Sequence, residues 1–226
     1  MLLLRSMSGA PSQNGALERR LLSEQPGAPD RLLFYINRPS VIVGRNQRIE
    51  AEVDTAYCRR QGIEVFRRIS GGGAVYQDYG NINYAFVCGK TDAAFMDMDF
   101  ATPIRDALRA FGITATVGTR GELLAGGRKI SGTAAHVMRS RILFHGTLLY
   151  RTDLRRMSRA LQGDSTLRGR CIASVPAPVV NLSDLTGSSE STTSFLEKLL
   201  LFFEDRYGVE TALALCETSV VAATQL

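Results

Sequence analysis

Arg67-Arg68-Ile69-Ser70-Gly71-Gly72-Gly73-Ala74-Val75-Tyr76, followed closely by Asn81-Ile82-Asn83, is the stretch from which the chain is best read. Three successive glycines have no Cβ atoms. The backbone there can take positive φ and let a ligand come close to its N–H groups. Successive N–H groups turned to one side make an anion-binding concavity. The two preceding arginines carry planar guanidinium groups, which match phosphate or carboxylate oxygens with paired donors. Val65, Phe66, Val75 and Tyr76 add apolar flanks. The whole suits a ligand with an anionic head and an apolar body. Taken alone, it also reads as a Gly-rich hairpin turn beside two solvated arginines.

Upstream, residues 12–25 open with Ser12 as a candidate cap. They place Ala16, Leu17, Leu21 and Leu22 at helical spacing, with Glu18, Arg19 and Arg20 on the other face. Residues 32–36 and 40–43 read as strands joined by a turn at Asn37-Arg38-Pro39. A helix over 50–61 closes at Gly62, a favourable C-cap, and a strand over 63–67 leads into the glycine turn. Downstream, residues 81–88 alternate Ile82, Tyr84 and Phe86 against Asn83 and Ala85, which predicts a strand with one wetter face. A helix over 99–111, starting near Thr102-Pro103, precedes a strand over 113–117. Leu123 and Leu124 lead into a tight turn at Gly126-Gly127. Strands follow over 129–135 and 142–149, then helices over 153–162 and 190–206, with a loop over 186–193. This order is not a strict βαβ alternation. It predicts an α+β fold with a mixed, largely antiparallel β-sheet flanked by helices.

The 226 residues allow one large domain or two small ones, and a single core is feasible. A hydrophobic content of 45% and a charged content of 22% argue against disorder. The net charge of +5 is not gathered into a Lys/Arg run, so nucleic acid is not indicated, while an acidic partner or anionic ligand fits. Cys58, Cys88, Cys171 and Cys216 lie far apart and suggest neither zinc nor a disulfide framework. Two histidines, His136 and His145, are too few for a histidine-rich metal centre. The start, Met1-Leu2-Leu3-Leu4-Arg5, lacks the features of a secretory signal, and no apolar run is long enough to span a membrane. The expected compartment is the cytoplasm, with reduced thiols.

A second element is Gly126-Gly127-Arg128-Lys129-Ile130-Ser131-Gly132-Thr133-Ala134. Strand alternation predicts Lys129, Ser131 and Thr133 on one face, opposite Ile130. A lysine among small residues can point into a cavity, where its compact cation holds a carboxylate against a phosphate. It also reads as a solvated lysine on a hairpin. A third element is Phe144-His145-Gly146-Thr147-Leu148-Leu149, whose histidine reads either as functional or as a satisfied structural residue. An ordinary phosphate loop is absent. Cys88-Gly89-Lys90-Thr91 supplies a Gly-Lys-Thr ending, but Tyr84 stands where its first glycine belongs.

The three segments at 67–83, 128–134 and 145–149 together resemble the lipoate–protein ligase A family. Weaker echoes are Asn14 with Ala16-Leu17-Glu18, Val41-Ile42-Val43-Gly44-Arg45-Asn46-Gln47, and Ile172-Ala173-Ser174-Val175 before Asn181-Leu182. The resemblance covers almost the whole chain in order. It implies the biotin/lipoate protein ligase catalytic-domain fold and a two-step reaction. Lipoate or octanoate attacks the α-phosphate of ATP, releasing pyrophosphate. A lysine of a lipoyl-carrier domain then attacks the acyl-adenylate, releasing AMP. ATP and Mg²⁺ are the implied cofactors. The implied partners are acidic lipoyl-carrier domains of 2-oxoacid dehydrogenases or the glycine cleavage H protein, with neither nucleic acid nor membrane. By the same resemblance Lys129 is catalytic. Adenylate and lipoate are bound by Arg68, Ser70, Gly71, Gly72, Gly73, Ala74, Val75, Tyr76, Gln77, Asn81, Asn83, Ser131, Gly132, Ala134, His145, Gly146 and Thr147. Val75, Tyr76 and residues 142–144 are expected to line an apolar tunnel for the acyl tail.

The chain departs from the family pattern in three places. Gln77 stands where histidine is common, and Arg120-Gly121-Glu122 where Arg-Asn-Asp is common, which bears on nucleotide and Mg²⁺ handling. The chain also reads as a single catalytic domain over 1–226 with no C-terminal accessory domain, so a separate accessory subunit stays open as a partner. Two other readings remain. A lipoyl or octanoyl transferase would take a pre-activated acyl group, with Cys171 as a candidate thioester carrier. A binding module would hold lipoate without catalysis.

Overall fold

The computed structural model describes residues 1–90 and 99–214; Cys216 lies outside the described residues. The leucines at the start form a strand, β1 (Leu2–Ser6). Then come α1 (Pro11–Leu22), β2 (Arg31–Tyr35), β3 (Ser40–Val43), α2 (Ile49–Glu52), α3 (Thr55–Arg60), β4 (Glu64–Arg67), β5 (Val75–Gln77) and β6 (Asn81–Gly89). Further on are α4 (Ala101–Ala110), β7 (Thr116–Val117), β8 (Leu123–Ala125), β9 (Arg128–Ser131), β10 (Thr133–Val137) and β11 (Arg141–Leu149). The described chain closes with α5 (Leu154–Ala160), α6 (Leu182–Thr186), α7 (Thr192–Tyr207) and β12 (Thr211–Ala214).

The strands form a six-stranded sheet in the order β10-β11-β6-β2-β1-β12 and two three-stranded sheets, β4-β3-β5 and β7-β8-β9. Pairs β1/β12, β1/β2 and β3/β4 are parallel and the other six are antiparallel, so the fold is the expected mixed, largely antiparallel α+β type. Leu32, Phe34, Ile82, Tyr84 and Phe86 lie in one core with Phe195, Leu199 and Phe203 of α7 and Ile104 and Leu108 of α4. Leu33, Tyr35, Ala85 and Val87 lie in another with Leu17, Leu21 and Leu22 of α1. Helices thus cover both faces, because consecutive strand residues point to opposite sides. A third core, with Val41, Val43, Tyr76, Cys58 and Ala160, joins the small β3 sheet to α3 and α5.

Several local expectations are revised. Ser12 lies inside α1, which starts at Pro11 with no side-chain cap; proline suits a first helical position because its missing N–H needs no partner there. The 50–61 helix breaks at Val53, and Asp54 starts α3 by accepting from Tyr57 N–H at 2.8 Å. Strand β6 has no wetter face: Asn81 and Asn83 are as buried as their apolar neighbours. β2 and β3 do not pair but enter different sheets, and the 129–135 strand splits at Gly132 into β9 and β10 of different sheets. Only Thr116 and Val117 of 113–117 are strand. β1, α6 and β12 were not expected.

Candidate active site

The glycine turn crosses between β4 and β5, the two outer strands of the small sheet. Arg68 braces it from within. Its Nε donates to Ser70 Oγ at 2.9 Å and its Nη1 to the Ile42 carbonyl at 3.1 Å. Its Nη2 donates to the carbonyls of Gly71 at 2.5 Å and Gly73 at 2.8 Å. Because each peptide is planar and trans, the N–H groups of Gly72 and Ala74 point the opposite way. Ala74 N–H donates to Ser174 Oγ at 2.8 Å. Gly72 alone of the three glycines has positive φ, at 84°. Arg67 Nη1 donates to the carbonyls of Gly44, Arg45 and Gln47, fixing the loop after β3. The two guanidinium groups expected to hold a ligand therefore hold backbone. Burial pulls Arg68 down to about 10, with Glu18 and Tyr35 acting against that shift.

Behind the turn runs a buried polar chain. Glu18 Oε2 lies 2.9 Å from His145 Nδ1, and His145 Nε2 lies 2.7 Å from Ser70 Oγ. Tyr35 Oη donates to Glu18 Oε1 at 2.9 Å. Ser70 Oγ also accepts from Arg68 Nε, which ties the guanidinium to this chain. The chain joins α1, β11 and the glycine turn. A second polar row runs from Asn14 Nδ2 to Asn37 Oδ1 (2.7 Å) and from Asn37 Nδ2 to Gln77 Oε1 (2.6 Å).

Lys129 sits on β9, whose antiparallel pairing with β8 turns at Gly126 and Gly127, both with positive φ. Its N–H donates to the Pro178 carbonyl at 2.8 Å, and its carbonyl accepts from Val180 N–H at 3.1 Å. A Cβ on Gly132 would stand 3.1 Å from Lys129 Nζ, so that glycine leaves space for the amine. Burial pushes the Lys129 ammonium below its usual range; Glu122 raises it in partial compensation and Arg120 lowers it further. Glu122 Oε2 accepts from Arg120 N–H at 2.9 Å.

These groups share a cavity of about 400 Å³. Of the expected residues, Arg68, Gly72, Gly73, Ala74, Val75, Gln77, Asn83, Lys129, Gly132, Ala134, His145, Gly146 and Thr147 line it. Ser70, Gly71, Tyr76, Asn81 and Ser131 do not. Tyr76 points to the other side of its sheet, into the core with Val41 and Val43. Ser131 turns to Tyr84 Oη at 3.2 Å and does not share a face with Lys129: the pairing of β8 with β9 shifts register between Leu123 and Leu124, so one step of β8 opposes two of β9, as at a β-bulge. Asn81 Nδ2 donates to Asn83 Oδ1 at 3.0 Å. Ile142 and Phe144 belong to the main core instead of a tunnel. The apolar wall is Ile42, Phe66, Ile69 and Val75, facing Pro11 and Gly15 of α1. Cys171 is exposed and does not line the cavity.

Residues 172–175 cover one side of the cavity. Gln47 Nε2 donates to Ser174 Oγ at 3.0 Å, and Glu52 Oε2 accepts from Ser174 N–H at 3.0 Å. Asn14, Glu18, Gln47 and Ser174 belonged to the weaker echoes in the sequence. Glu52 and Asn37 carried no sequence signal, since their roles depend on partners distant along the chain. Among the described residues no group of three or more His, Cys, Asp or Glu could hold a metal by itself.

The model of the lipoyl protein ligase A/B catalytic domain matches residues 10–204. Lipoate–protein ligase 1 of Staphylococcus aureus is 37% identical over 193 residues, 84% of this chain and 58% of that protein. The chain thus spans somewhat over half the length of this curated relative. A lipoate-protein ligase A structure bound with ATP superposes with a TM-score of 0.78 at 27% identity, covering 94% of this chain and 87% of that one. A bi-partite lipoate protein ligase from Thermoplasma acidophilum, studied with its E2 lipoyl domain, gives 0.77 at 26% identity, covering 94% and 86%.

Proposed function

Because the chain belongs to the lipoyl protein ligase A/B catalytic-domain family, we propose that it is a lipoate–protein ligase. In this reading it first joins lipoate to AMP. A carboxylate oxygen of lipoate attacks the α-phosphorus of ATP, and pyrophosphate leaves. The ε-amine of a carrier lysine then attacks the acyl carbonyl, forming an amide and losing a proton, and AMP leaves.

One observation carries the reading: Lys129 and the Arg68-braced glycine turn line a cavity that also has an apolar wall. Lys129 brings a fixed cation to the point where negative charge gathers, and fixed charges in a dry site stabilise such a transition state strongly. The glycine turn offers backbone to the phosphate, held in shape by Arg68. Ile42, Phe66, Ile69 and Val75 receive the acyl tail, each buried CH₂ contributing about 0.8 kcal/mol. Mg²⁺ fits as a cation that arrives with the nucleotide phosphates, which hold it with only one or two carboxylates. Glu122, beside Lys129, is the carboxylate suited to it, and the ion would neutralise phosphate charge.

The carrier is an acidic lipoyl domain, in keeping with the net charge of +5. A catalytic domain that includes residues 10–204 and a cytoplasmic setting complete the reading. Among the described residues no helix is long and apolar enough to cross a membrane.

The test is to mix the protein with lipoate, Mg²⁺-ATP and an apo lipoyl domain, and to follow pyrophosphate and carrier mass. A ligase yields both products. Activity only with supplied lipoyl-AMP or octanoyl-carrier protein would replace this reading with a transferase, and no activity in any mix with a binding module. Lys129→Ala is expected to lower adenylate formation by at least 10²-fold, on the scale of losing one such stabilising group, while its circular dichroism stays native.

A further inference from the structure

The cavity side of α1 is made by Pro11, Gly15, Glu18 and Arg19, one face of a helix at i, i+4, i+7 and i+8. Gly15 is the anomaly on this face. A glycine inside a helix weakens it relative to alanine, and Gly15 is not among the glycines with positive φ that would demand it. What requires it is Phe66: a Cβ on Gly15 would stand 2.8 Å from Phe66 Cε1 and 2.9 Å from Cζ. The ring therefore occupies the place where a helix side chain would be.

Phe66 is also one end of an apolar row. Across the small sheet it lies in register with Ile42, and Ile42 lies in register with Val75. All three line the cavity. The row is the floor of the apolar part and α1 is its roof, and at Gly15 roof and floor touch through the Phe66 ring.

We propose that Gly15 and Phe66 form a size-matched pair that sets the bore of the acyl channel, and so decides which acyl groups this chain accepts. This rests on the ligase reading above. A methyl group on Gly15 drives the ring off the helix. The ring gives way on its cavity side, which narrows the channel. A ligand with a bulky cyclic end, such as the dithiolane of lipoate, then loses more than a straight-chain acid. Removal of the ring widens the channel and admits longer chains. The effect of the methyl group exists only while the ring is present.

The experiment compares wild type, Gly15→Ala, Phe66→Ala and the double variant. Pyrophosphate release is measured with hexanoate, octanoate, decanoate and lipoate, and calorimetric binding of the same four acids without nucleotide. Gly15→Ala should keep a native helix signal and melting profile, because alanine is the better helix former. It should lower kcat/KM for lipoate relative to octanoate by about tenfold or more, the scale of a one-methylene misfit. Phe66→Ala should raise decanoate relative to octanoate by a similar factor. In the double variant the Gly15→Ala effect should vanish. Unchanged acid preferences in both single variants, or a Gly15→Ala effect that survives without the ring, would overturn the proposal while leaving the ligase reading intact. If wild type releases no pyrophosphate with any acid, the ligase reading fails. The bore is then judged by binding alone: the same variant pattern sustains it, and no binding of any acid overturns it.

Discussion

Lys129 shows how much of a residue's chemistry comes from its surroundings. Its usual value of 10.5 is lowered chiefly by burial, and Glu122 holds it partly up. Desolvation disfavours the charged form and an opposite charge restores it. Glu122→Gln removes the supporting charge, so the Lys129 value should fall further. The alkaline limb of the pH–rate profile for adenylate formation should move to lower pH, and NMR titration of the Lys129 Nζ should show the same displacement. An unmoved limb would mean that Glu122 does not act on the reacting cation. The stability sign follows from proton binding. A lysine lowered in the folded state binds fewer protons there than when unfolded, so its contribution rises as pH climbs through the lowered value toward 10.5. Arg68 differs: at about 10 it stays charged at neutral pH and gives its donors to the turn.

At the scale of elements, the small β4-β3-β5 sheet separates structure from site by alternation. Val41, Val43 and Tyr76 face the core with α3 and α5, while Ile42, Phe66 and Val75 face the cavity. The loop after β3 touches the glycine turn itself: a Cβ on Gly44 would stand 2.1 Å from the Gly72 carbonyl oxygen. That atom is backbone, so no rotamer change relieves the overlap. Gly44→Ala should lower stability in urea by about 1–3 kcal/mol, the range for overpacking. It should also abolish adenylate formation, because the turn must move away from Arg68. A variant with wild-type midpoint and activity would show that the turn yields freely. The covering segment 172–175 is held by Gln47 of the same loop and by Glu52 at the end of α2, so turn, loop and cover form one assembly.

Over the whole molecule, α1 and the cavity lie on one face of the six-stranded sheet, and α4 and α7 on the other. Phe203 of α7 is fully buried, with its ring 5.6 Å from Phe34 and 5.2 Å from Phe202. Phe203→Ala should cost about 3–5 kcal/mol. That is a large part of a domain's usual stability of about 5–15 kcal/mol. It should appear as a lowered urea midpoint, with adenylate formation per folded molecule unchanged because the ring lies on the far face. A local loss of activity at low temperature would contradict this separation. The amino-acid sequence by itself determined the fold class, the glycine turn, the Gly126-Gly127 hairpin and the presence of Lys129 beside small residues. Those features follow from period-two alternation and from backbone freedom at glycine, both local properties. The tertiary structure alone decided that Arg67 and Arg68 bind backbone, that Glu18 meets His145 across 127 positions, and that a register shift between β8 and β9 turns Ser131 away from Lys129. It also placed the starting leucines as β1 between β2 and β12. Which face a side chain shows, and which distant partner desolvates or satisfies it, depends on how the layers pack, and short-range pattern carries no record of that.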